Sequence, residues 1–488
     1  MRRKAINVMW MASVLAACLF ARPAAAGAAE ADLPLDARFD AYLQASTRHD
    51  HFSGTVLVAR DGVPVFNRSY GMANYELDVR NTARTVYRIA SLTKQFTALA
   101  VMQLQEQGKL KVGDPICQYI EPCPAAWKPI TLRHLLTHTS GIENYSSLSE
   151  WDEVLALRSY KRPELVALFR DLPLRFTPGE QFKYSNSGYV LLGMAIERAS
   201  GKSYADYLRE KIFTPLGMSQ TVYDESRTLL PNRASGYYSL GTRFINAPYM
   251  SPTVSYAAGG IQSTVGDMLL WDQALYSERL LSRKSLDEMF TPVKKGYGYG
   301  WQIGEKLGRR SIEHSGSENG FSTYLLRFPA ERVTVIVLSN SDRASAGGVG
   351  NALAAILFGA PAKQPVAQLR DVLWDVIARD GVEAGMRHYR GLQPAPAGGD
   401  AALVYLGYDL IEAGKTADAA AILNFTLGLY PASAYSHDGL ADIAAARGDT
   451  AEAIKHFERS LALDPKNDYA SKGLVRLRKS SAEARRAD

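Results

Sequence analysis

Short apolar runs predict strands near both ends of the first 360 residues. Residues 54–60 and 63–66 flank Asp61-Gly62, a dipeptide typical of tight turns, and therefore predict a β-hairpin. Three further strands are predicted at residues 311–314, 321–328 and 333–339. The Pro-Ala-Glu-Arg sequence between the last two indicates a turn. The strand-forming residues thus lie at the two ends of one long segment.

The segments between these runs have the composition and length of helices. Residues 95–104 and 188–197 are rich in apolar and small residues, and residues 344–358 predict a closing helix. Strands at both ends with helices between them favour an α+β fold over a doubly wound parallel sheet. We expect one antiparallel sheet flanked by helices, in a domain that covers residues 34–358.

The chain changes character after this domain. Residues 359–366 are rich in small residues and proline, as linkers are, and residues 367–478 predict a small all-α domain. Small residues and prolines recur there at intervals of 34 residues, at Gly414 and Gly448, Ala419 and Ala453, and Pro431 and Pro465. This period resembles that of tetratricopeptide repeats, with a degenerate unit before the two clear ones.

The N-terminus has the three parts of a secretory signal. Basic residues at positions 2–4 precede an apolar run at residues 6–20, and small residues follow at 24–26. This pattern predicts a signal peptide at residues 1–26 and an exported protein, periplasmic or secreted. The apolar run is short for a membrane span, and no later segment is long enough to cross a bilayer.

Leu15-Ala16-Ala17-Cys18 also resembles a bacterial lipobox, which would leave Cys18 as a lipidated N-terminus. Leu19 and Phe20 continue the apolar run past this cysteine and favour cleavage near Ala26 instead. Export is expected in both cases, and a lipid anchor at Cys18 is the alternative.

Removal of the signal lowers the formal net charge from +6 to +2, because it holds four basic residues and no acid. A nearly neutral chain gives no reason to expect nucleic acid as a partner. Cys117 and Cys123 would be the remaining thiols; an exported compartment permits a disulfide between them, and two free thiols are the alternative. No cysteines or histidines have zinc-finger spacing, and neither a metal nor a cofactor is expected.

Ser91 and Lys94 lie three residues apart at the predicted start of the helix that contains residues 95–104. This spacing places both side chains on one helical face. An alcohol is a poor nucleophile until its proton is removed, and a lysine amine with a lowered pKa can remove it. The pair is weak evidence alone, because a helix cap with a surface lysine has the same pattern.

Two further motifs follow, Tyr184-Ser185-Asn186 and His314-Ser315-Gly316. Ser-x-x-Lys, Tyr-x-Asn and a basic residue two before a glycine, in this order, resemble the serine β-lactamase and penicillin-binding superfamily. The resemblance is to the branch of class C β-lactamases, D-alanyl-D-alanine carboxypeptidases and related esterases. Residues 134–141, 215–218 and 258–264 support it.

The resemblance implies a catalytic role for Ser91 as the nucleophile and for Lys94 as its first proton acceptor. Tyr184 would carry a proton to the leaving group, which requires nearby cations that lower its pKa from about 10. Substrate would be bound by the side chains or backbone of Asn186, His314, Gly316 and Ser317. The backbone amides of Ser91 and Ser317 would form the oxyanion hole. His134 and His138, four residues apart, are expected to be structural.

His314 stands where the resembling β-lactamases usually have lysine. Imidazole titrates near pH 6.5, so its charge depends on pH. A charged His314 would hold an anionic substrate, and activity on carboxylates would then weaken above neutral pH. The histidine argues against efficient antibiotic hydrolysis and favours a peptidase, amidase or esterase.

The sequence therefore predicts an exported serine hydrolase that forms an acyl-enzyme on Ser91 with D-alanyl peptide, amide or ester substrates. One alternative is a β-lactamase proper. Another is a penicillin-binding sensor whose repeat domain docks a protein partner. The expected partners are a small-molecule or peptide substrate and, through the repeats, a protein.

Overall fold

The computed structural model describes residues 33–148, 151–225, 228–393 and 399–487. The predicted signal peptide, with Cys18, lies outside the described residues. The described chain forms two compact units. The first contains Asn246–Val366 and the described residues before Ser239, and the second contains Ser239–Ile245 and the described residues from Ala367 onward.

The strands are, in chain order, β1 (Gly54–Arg60), β2 (Val63–Tyr70), β3 (Met72–Asn74), β4 (Val79–Arg80), β5 (Tyr87–Arg88), β6 (Val222–Tyr223), β7 (Tyr237–Leu240), β8 (Arg243–Asn246), β9 (Ile261–Ser263), β10 (Gln302–Lys306), β11 (Arg309–Glu318), β12 (Phe321–Phe328) and β13 (Val333–Ser339). Six of them form the main sheet in the order β10-β11-β12-β13-β1-β2, with antiparallel pairing throughout. A separate three-stranded sheet has the order β5-β9-β6, with β9 antiparallel to both neighbours.

The helices of the first unit are α1 (Leu35–His49), α2 (Thr93–Glu106), α3 (Leu132–Leu136), α4 (Arg162–Ala167), α5 (Asn186–Ser200), α6 (Tyr204–Leu208), α7 (Thr214–Leu216), α8 (Pro252–Gly259), α9 (Val265–Ala274), α10 (Arg283–Met289) and α11 (Ala346–Leu357). Helices cover both faces of the main sheet. The predicted α+β fold, an antiparallel sheet flanked by helices, is confirmed.

The centre of the sheet joins the two ends of the segment, because β1 pairs with β13 from Gly54 opposite Ser339 to Arg60 opposite Val333. Alternate residues of β1 enter different cores. Val56 and Val58 pack with α1 and α11, whereas Leu57 packs with the helices of the opposite face. Burial on both faces explains why these strands are almost uninterrupted apolar runs.

Two of the differences from the sequence predictions are at the β10–β11 end of the main sheet. β11 continues to Glu318, four residues beyond the predicted end, so that Gly316 and Ser317 are part of a strand. β10 was not predicted, because it is an edge strand whose sequence, Gln-Ile-Gly-Glu-Lys, contains one large apolar residue. Edge strands pair on one side and need less apolar surface than central ones.

The second unit contains α12 (Leu369–Asp380), α13 (Val382–Arg390), α14 (Ala401–Glu412), α15 (Thr416–Leu429), α16 (Ala434–Ala446), α17 (Thr450–Leu463) and α18 (Asp468–Ala487). Its packing repeats with the period of the sequence. A Cβ added at Gly439 would lie 2.7 Å from the Leu423 side chain, and one added at Gly473 would lie 2.6 Å from the Phe457 ring. Gly473 follows Gly439 by 34 residues, and Phe457 follows Leu423 by the same interval, so the repeat keeps one close helix contact.

Among the described residues, no helix combines the length and the apolar character that a membrane span requires. Cys117 and Cys123 form a disulfide, the pairing that the sequence left open.

A buried ion pair connects a helix to the main sheet. Arg327 Nε on β12 donates to Asp272 Oδ1 on α9 at 2.5 Å, and Thr334 on β13 donates to the other carboxylate oxygen at 2.6 Å. The side chains of Arg327 and Asp272 are 2% and 0% exposed. Loss of one partner leaves an uncompensated charge in the core.

We expect Asp272→Asn to lower the free energy of unfolding by about 3–5 kcal/mol, measured by urea denaturation. Asp61→Asn is the matched control, because Asp61 pairs with Arg332 at 3.2 Å on the surface and should contribute less than about 1 kcal/mol. Equal losses in the two variants would contradict a structural role for the buried pair.

Candidate active site

Ser91 lies in a 3₁₀ turn, Ala90–Leu92, immediately before α2. Ala90 has φ of 48°, a left-handed conformation that costs a residue other than glycine about 1–3 kcal/mol. The turn is held against β11 and β12. Thr323 donates to the Ile89 carbonyl at 2.9 Å, and a Cβ at Gly316 would lie 2.5 Å from the same oxygen. Gly316 is therefore required for the close approach of the strand to the turn.

Lys94 is fully buried on the first turn of α2, and its Nζ lies 3.0 Å from Ser91 Oγ. It donates to Asn186 Oδ1 at 2.8 Å and to the Ala258 carbonyl at 2.7 Å. Both are acceptors without a proton to give. A neutral amine has two N–H groups and one lone pair, so these contacts leave the lone pair for the Ser91 hydroxyl.

The environment of Lys94 favours its neutral form. Burial lowers the pKa of Lys94 well below its usual 10.5, and the opposing effect of the Glu318 carboxylate is smaller. Desolvation disfavours a charged ammonium, and carbonyl and amide oxygens replace water only in part. Lys94 is thus arranged to accept the proton of Ser91.

The first residue of α5, Asn186, orients its side chain through two neighbours. Its backbone N–H donates to Asn144 Oδ1 at 3.0 Å, and its Nδ2 donates to Ser146 Oγ at 3.0 Å. With Nδ2 held, Oδ1 is directed at Lys94. Asn144 and Ser146 were not identified from the sequence, because they lie in a loop without periodicity.

A kink in α8 provides the other acceptor. Tyr256 has φ of 38° and ψ of −130°, outside the helical region. The two carbonyls that follow are turned towards α2, where Ala257 accepts from Thr97 Oγ1 at 2.7 Å and Ala258 accepts from Lys94. An unbroken helix would use these carbonyls internally, so the strained residue makes them available.

Tyr184 lies beside Lys94, whose Nζ is 4.8 Å from the centre of the tyrosine ring. Its hydroxyl is buried and makes no regular hydrogen bond, although Ser91 is close enough to favour the phenolate. Burial outweighs this effect and raises the pKa of Tyr184 above 10. The expectation that cations lower this pKa is wrong, because the adjacent amine is itself held neutral. Tyr184 is therefore a protonated phenol in the resting site.

His314 on β11 uses both ring nitrogens. Nδ1 is 2.6 Å from the Ser315 carbonyl, and Nε2 is 2.9 Å from the Tyr297 hydroxyl. A proton on Nδ1 satisfies both contacts, with Tyr297 donating to Nε2. Burial and, secondarily, Lys94 lower the pKa of His314 to about 3. The interpretation of His314 as a charged anion-binding group is therefore wrong.

The structure brings together the side chains of Ser91, Lys94, Tyr184 and Asn186, and places His314 6.2 Å from Tyr184 between ring centres. Gly316, on β11, contacts the turn Ala90–Leu92, which holds Ser91. Ser317 follows on the same strand, opposite Ser322, with its side chain exposed.

Two aromatic side chains that support the site were not assigned to it from the sequence. His138 packs on Tyr184, 4.2 Å between ring centres, and its Nδ1 accepts from the Ser185 N–H at 3.2 Å. Tyr297 contacts His314. Tyr145, left between a cleft and a packing role, is buried and donates to the Val254 carbonyl. No local pattern distinguishes such residues, since each acts through distant neighbours.

Comparisons with known proteins give the same assignment for both parts of the chain. A family model described as Beta-lactamase matches residues 35–359, and one described as Tetratricopeptide repeat matches residues 434–467. Penicillin-binding protein 4* of Bacillus subtilis (strain 168) is 34% identical over 344 residues, which cover 64% of this chain and 74% of that protein.

Two solved structures are similar in fold and sequence. The octameric penicillin-binding protein homologue from Pyrococcus abyssi has a TM-score of 0.60 and 28% identity, covering 70% of this chain and 81% of its own. A D-stereospecific amidohydrolase from Streptomyces sp. has a TM-score of 0.59 and 26% identity, covering 67% and 100%.

The buried, neutral His314 has a consequence for stability. Its pKa is about 3 in the folded state and near 6.5 when unfolded, so the unfolded chain binds more protons between these values. This contribution to stability is complete above pH 6.5 and is lost as the pH falls towards 3. We expect the slope of stability against pH in this window to be smaller in His314→Asn, by up to about 1.4 kcal/mol per pH unit. Urea midpoints at pH 4, 5, 6 and 7 measure it, and parallel curves would contradict a buried neutral imidazole.

Proposed function

This chain belongs to the beta-lactamase family, and we propose that it is an exported serine hydrolase that forms an acyl-enzyme on Ser91. The observation that carries the proposal is the contact of Lys94 Nζ with Ser91 Oγ at 3.0 Å, made while two carbonyl oxygens occupy its N–H groups. The catalytic residues would be Ser91, Lys94 and Tyr184, in a domain that we place at residues 34–358.

The reaction follows from the positions of the protons. Lys94 accepts the Ser91 proton as Oγ attacks the carbonyl carbon, and backbone N–H groups of Ser91 and Ser317 stabilise the oxyanion. Tyr184 gives its proton to the departing nitrogen or oxygen, and the proton on Lys94 then restores the phenol. Water enters next, loses a proton to the same groups as it attacks the acyl carbon, and these groups return the proton to Ser91 Oγ as the acid leaves.

We propose D-alanyl peptides, amides or esters as substrates. Support comes from the similarity to the D-stereospecific amidohydrolase and from His314, which provides no cation for a substrate carboxylate. A β-lactamase proper would act on an anionic substrate, and this site has no cation at position 314 to bind its carboxylate. Amide and ester carbonyls need only the nucleophile, the proton donor and the oxyanion hole.

The repeat unit supports a second role. Tetratricopeptide helices present grooves that bind peptide segments, and the repeat here suggests an interaction with a protein. A penicillin-binding sensor would combine this interaction with slow hydrolysis at Ser91. Export through the N-terminal signal is proposed in either case, with a lipid anchor at Cys18 as the alternative form.

A fluorescent penicillin and p-nitrophenyl acetate test the covalent mechanism. Both should react with the wild type, and Ser91→Ala should abolish labelling and lower ester hydrolysis at least about a thousandfold, because the attacking atom is gone. Ser277→Ala, at an exposed turn after α9, is the control and should match the wild type.

The outcomes separate the two roles. Ester hydrolysis that persists in Ser91→Ala would contradict the proposed nucleophile. A wild type that reacts with neither reagent would exclude the hydrolase and favour the binding protein.

A further inference from the structure

A buried charged cluster adjoins the site and has no part in the mechanism above. It consists of Arg88, Asp224, Ser255 and Glu318. Arg88 Nε lies 3.0 Å from Asp224 Oδ2, whereas its Nη1 is 3.5 Å from Glu318 Oε1. Ser255 donates to the same Glu318 oxygen at 2.9 Å. Arg88 therefore pairs mainly with Asp224, and its contact with Glu318 is longer and weaker.

Glu318 is incompletely paired. Its side chain is 5% exposed, and its second oxygen, Oε2, is buried without a hydrogen bond in the described residues. The cluster holds two carboxylates and one guanidinium. The next guanidinium, that of Arg162, stacks 3.6 Å from the centre of the Tyr256 ring and donates to Tyr223. Burial of a carboxylate oxygen without a hydrogen-bond donor costs folding free energy, unless a ligand supplies the donor.

The position of Glu318 follows from the alternation of β11. His314, Gly316 and Glu318 are two residues apart and share the face that packs on the nucleophile turn. The strand rises about 3.3 Å per residue, so the ends of this row are about 13 Å apart. His314 lies next to Tyr184, the proton donor to the leaving group. Glu318 is at the other end of the row, past Gly316 and away from Tyr184.

The other titratable groups of the site add no positive charge. Burial lowers the pKa values of Lys94, His138 and His314 and so favours the neutral form of each. Burial raises the pKa of Glu318, and the charge of Arg88 opposes that shift. While Glu318 is ionised, the cluster has two carboxylates to one guanidinium and a net negative charge. An anionic acyl group would be repelled there, and a cationic one attracted.

We propose that Glu318 binds a primary ammonium group on the acyl part of the substrate. An ammonium donates three hydrogen bonds, and Oε2 is the acceptor that lacks one. The substrate class is then aminoacyl amides, esters or peptides with a free amine, rather than N-acylated ones. This inference rests on the proposed function, because it concerns the acyl group that Ser91 attacks.

Two anilides that differ in one group provide the test. Alanine p-nitroanilide, in both enantiomers, carries the amine, and propionyl p-nitroanilide lacks it. At pH 6.5 an α-amino group with a pKa of about 7.7–8 is charged. We expect the wild type to prefer the better alanine enantiomer at least about tenfold in kcat/KM. Glu318→Gln should lose this preference and leave propionyl turnover within about twofold.

Glu313→Gln is the matched control, because Glu313 is on the same strand with the opposite parity and pairs with Lys306 at 3.2 Å. It should keep the preference for the amine. p-Nitrophenyl propionate, hydrolysed through Ser91, reports an intact site in every variant.

Each result decides one question. Equal losses on both anilides in Glu318→Gln would show that Glu318 acts on Lys94 or on the fold, and would overturn the proposal. A wild-type preference for the propionyl or an N-acetylalanyl anilide would overturn it too. If the ester reacts through Ser91 in either case, the proposed function stands; if the ester does not react, both proposals fail.

Discussion

The site depends on one arrangement, a buried amine whose two N–H groups are held by oxygen atoms that cannot donate. Asn186 Oδ1 and the Ala258 carbonyl fix the direction of the Lys94 lone pair, and Ser91 Oγ lies where it points. Burial supplies the low pKa and the acceptors supply the orientation. Neither burial nor the two acceptors alone would make Lys94 a base for Ser91. An exposed lysine is charged, and an amine without fixed acceptors has a lone pair with no fixed direction.

Much of the surrounding structure maintains this arrangement. The left-handed Ala90 and the non-helical Tyr256 are strained positions in the two segments that contact Lys94 through Ser91 and Ala258. One presents the nucleophile and the other presents the acceptor carbonyl. Gly316 lets β11 approach the first of them, and the six-stranded sheet holds β11 in place. The strain is tolerated because a core packed on both faces of the sheet leaves the chain no alternative path.

Electrostatics distinguishes this site from one built for anions. A lysine at position 314 would present a cation beside Tyr184, whereas the buried imidazole is neutral and hydrogen-bonded at both nitrogens. The remaining charged groups are two carboxylates, Asp224 and Glu318, which share the guanidinium of Arg88. Compared with a site that has lysine at position 314, one end of β11 lacks a positive charge because of His314. The other end has a carboxylate, that of Glu318.

The sequence by itself determined the class of fold and the candidate catalytic residues. Apolar runs located the central strands, and three ordered motifs identified Ser91, Lys94, Tyr184 and His314, because these features depend on local spacing. Only the tertiary structure decided the protonation states and the supporting residues. The protonation of His314, the pKa of Tyr184 and the unpaired Oε2 of Glu318 follow from burial and from partners distant in the chain. Desolvation is a property of packing, and no single stretch of sequence contains it.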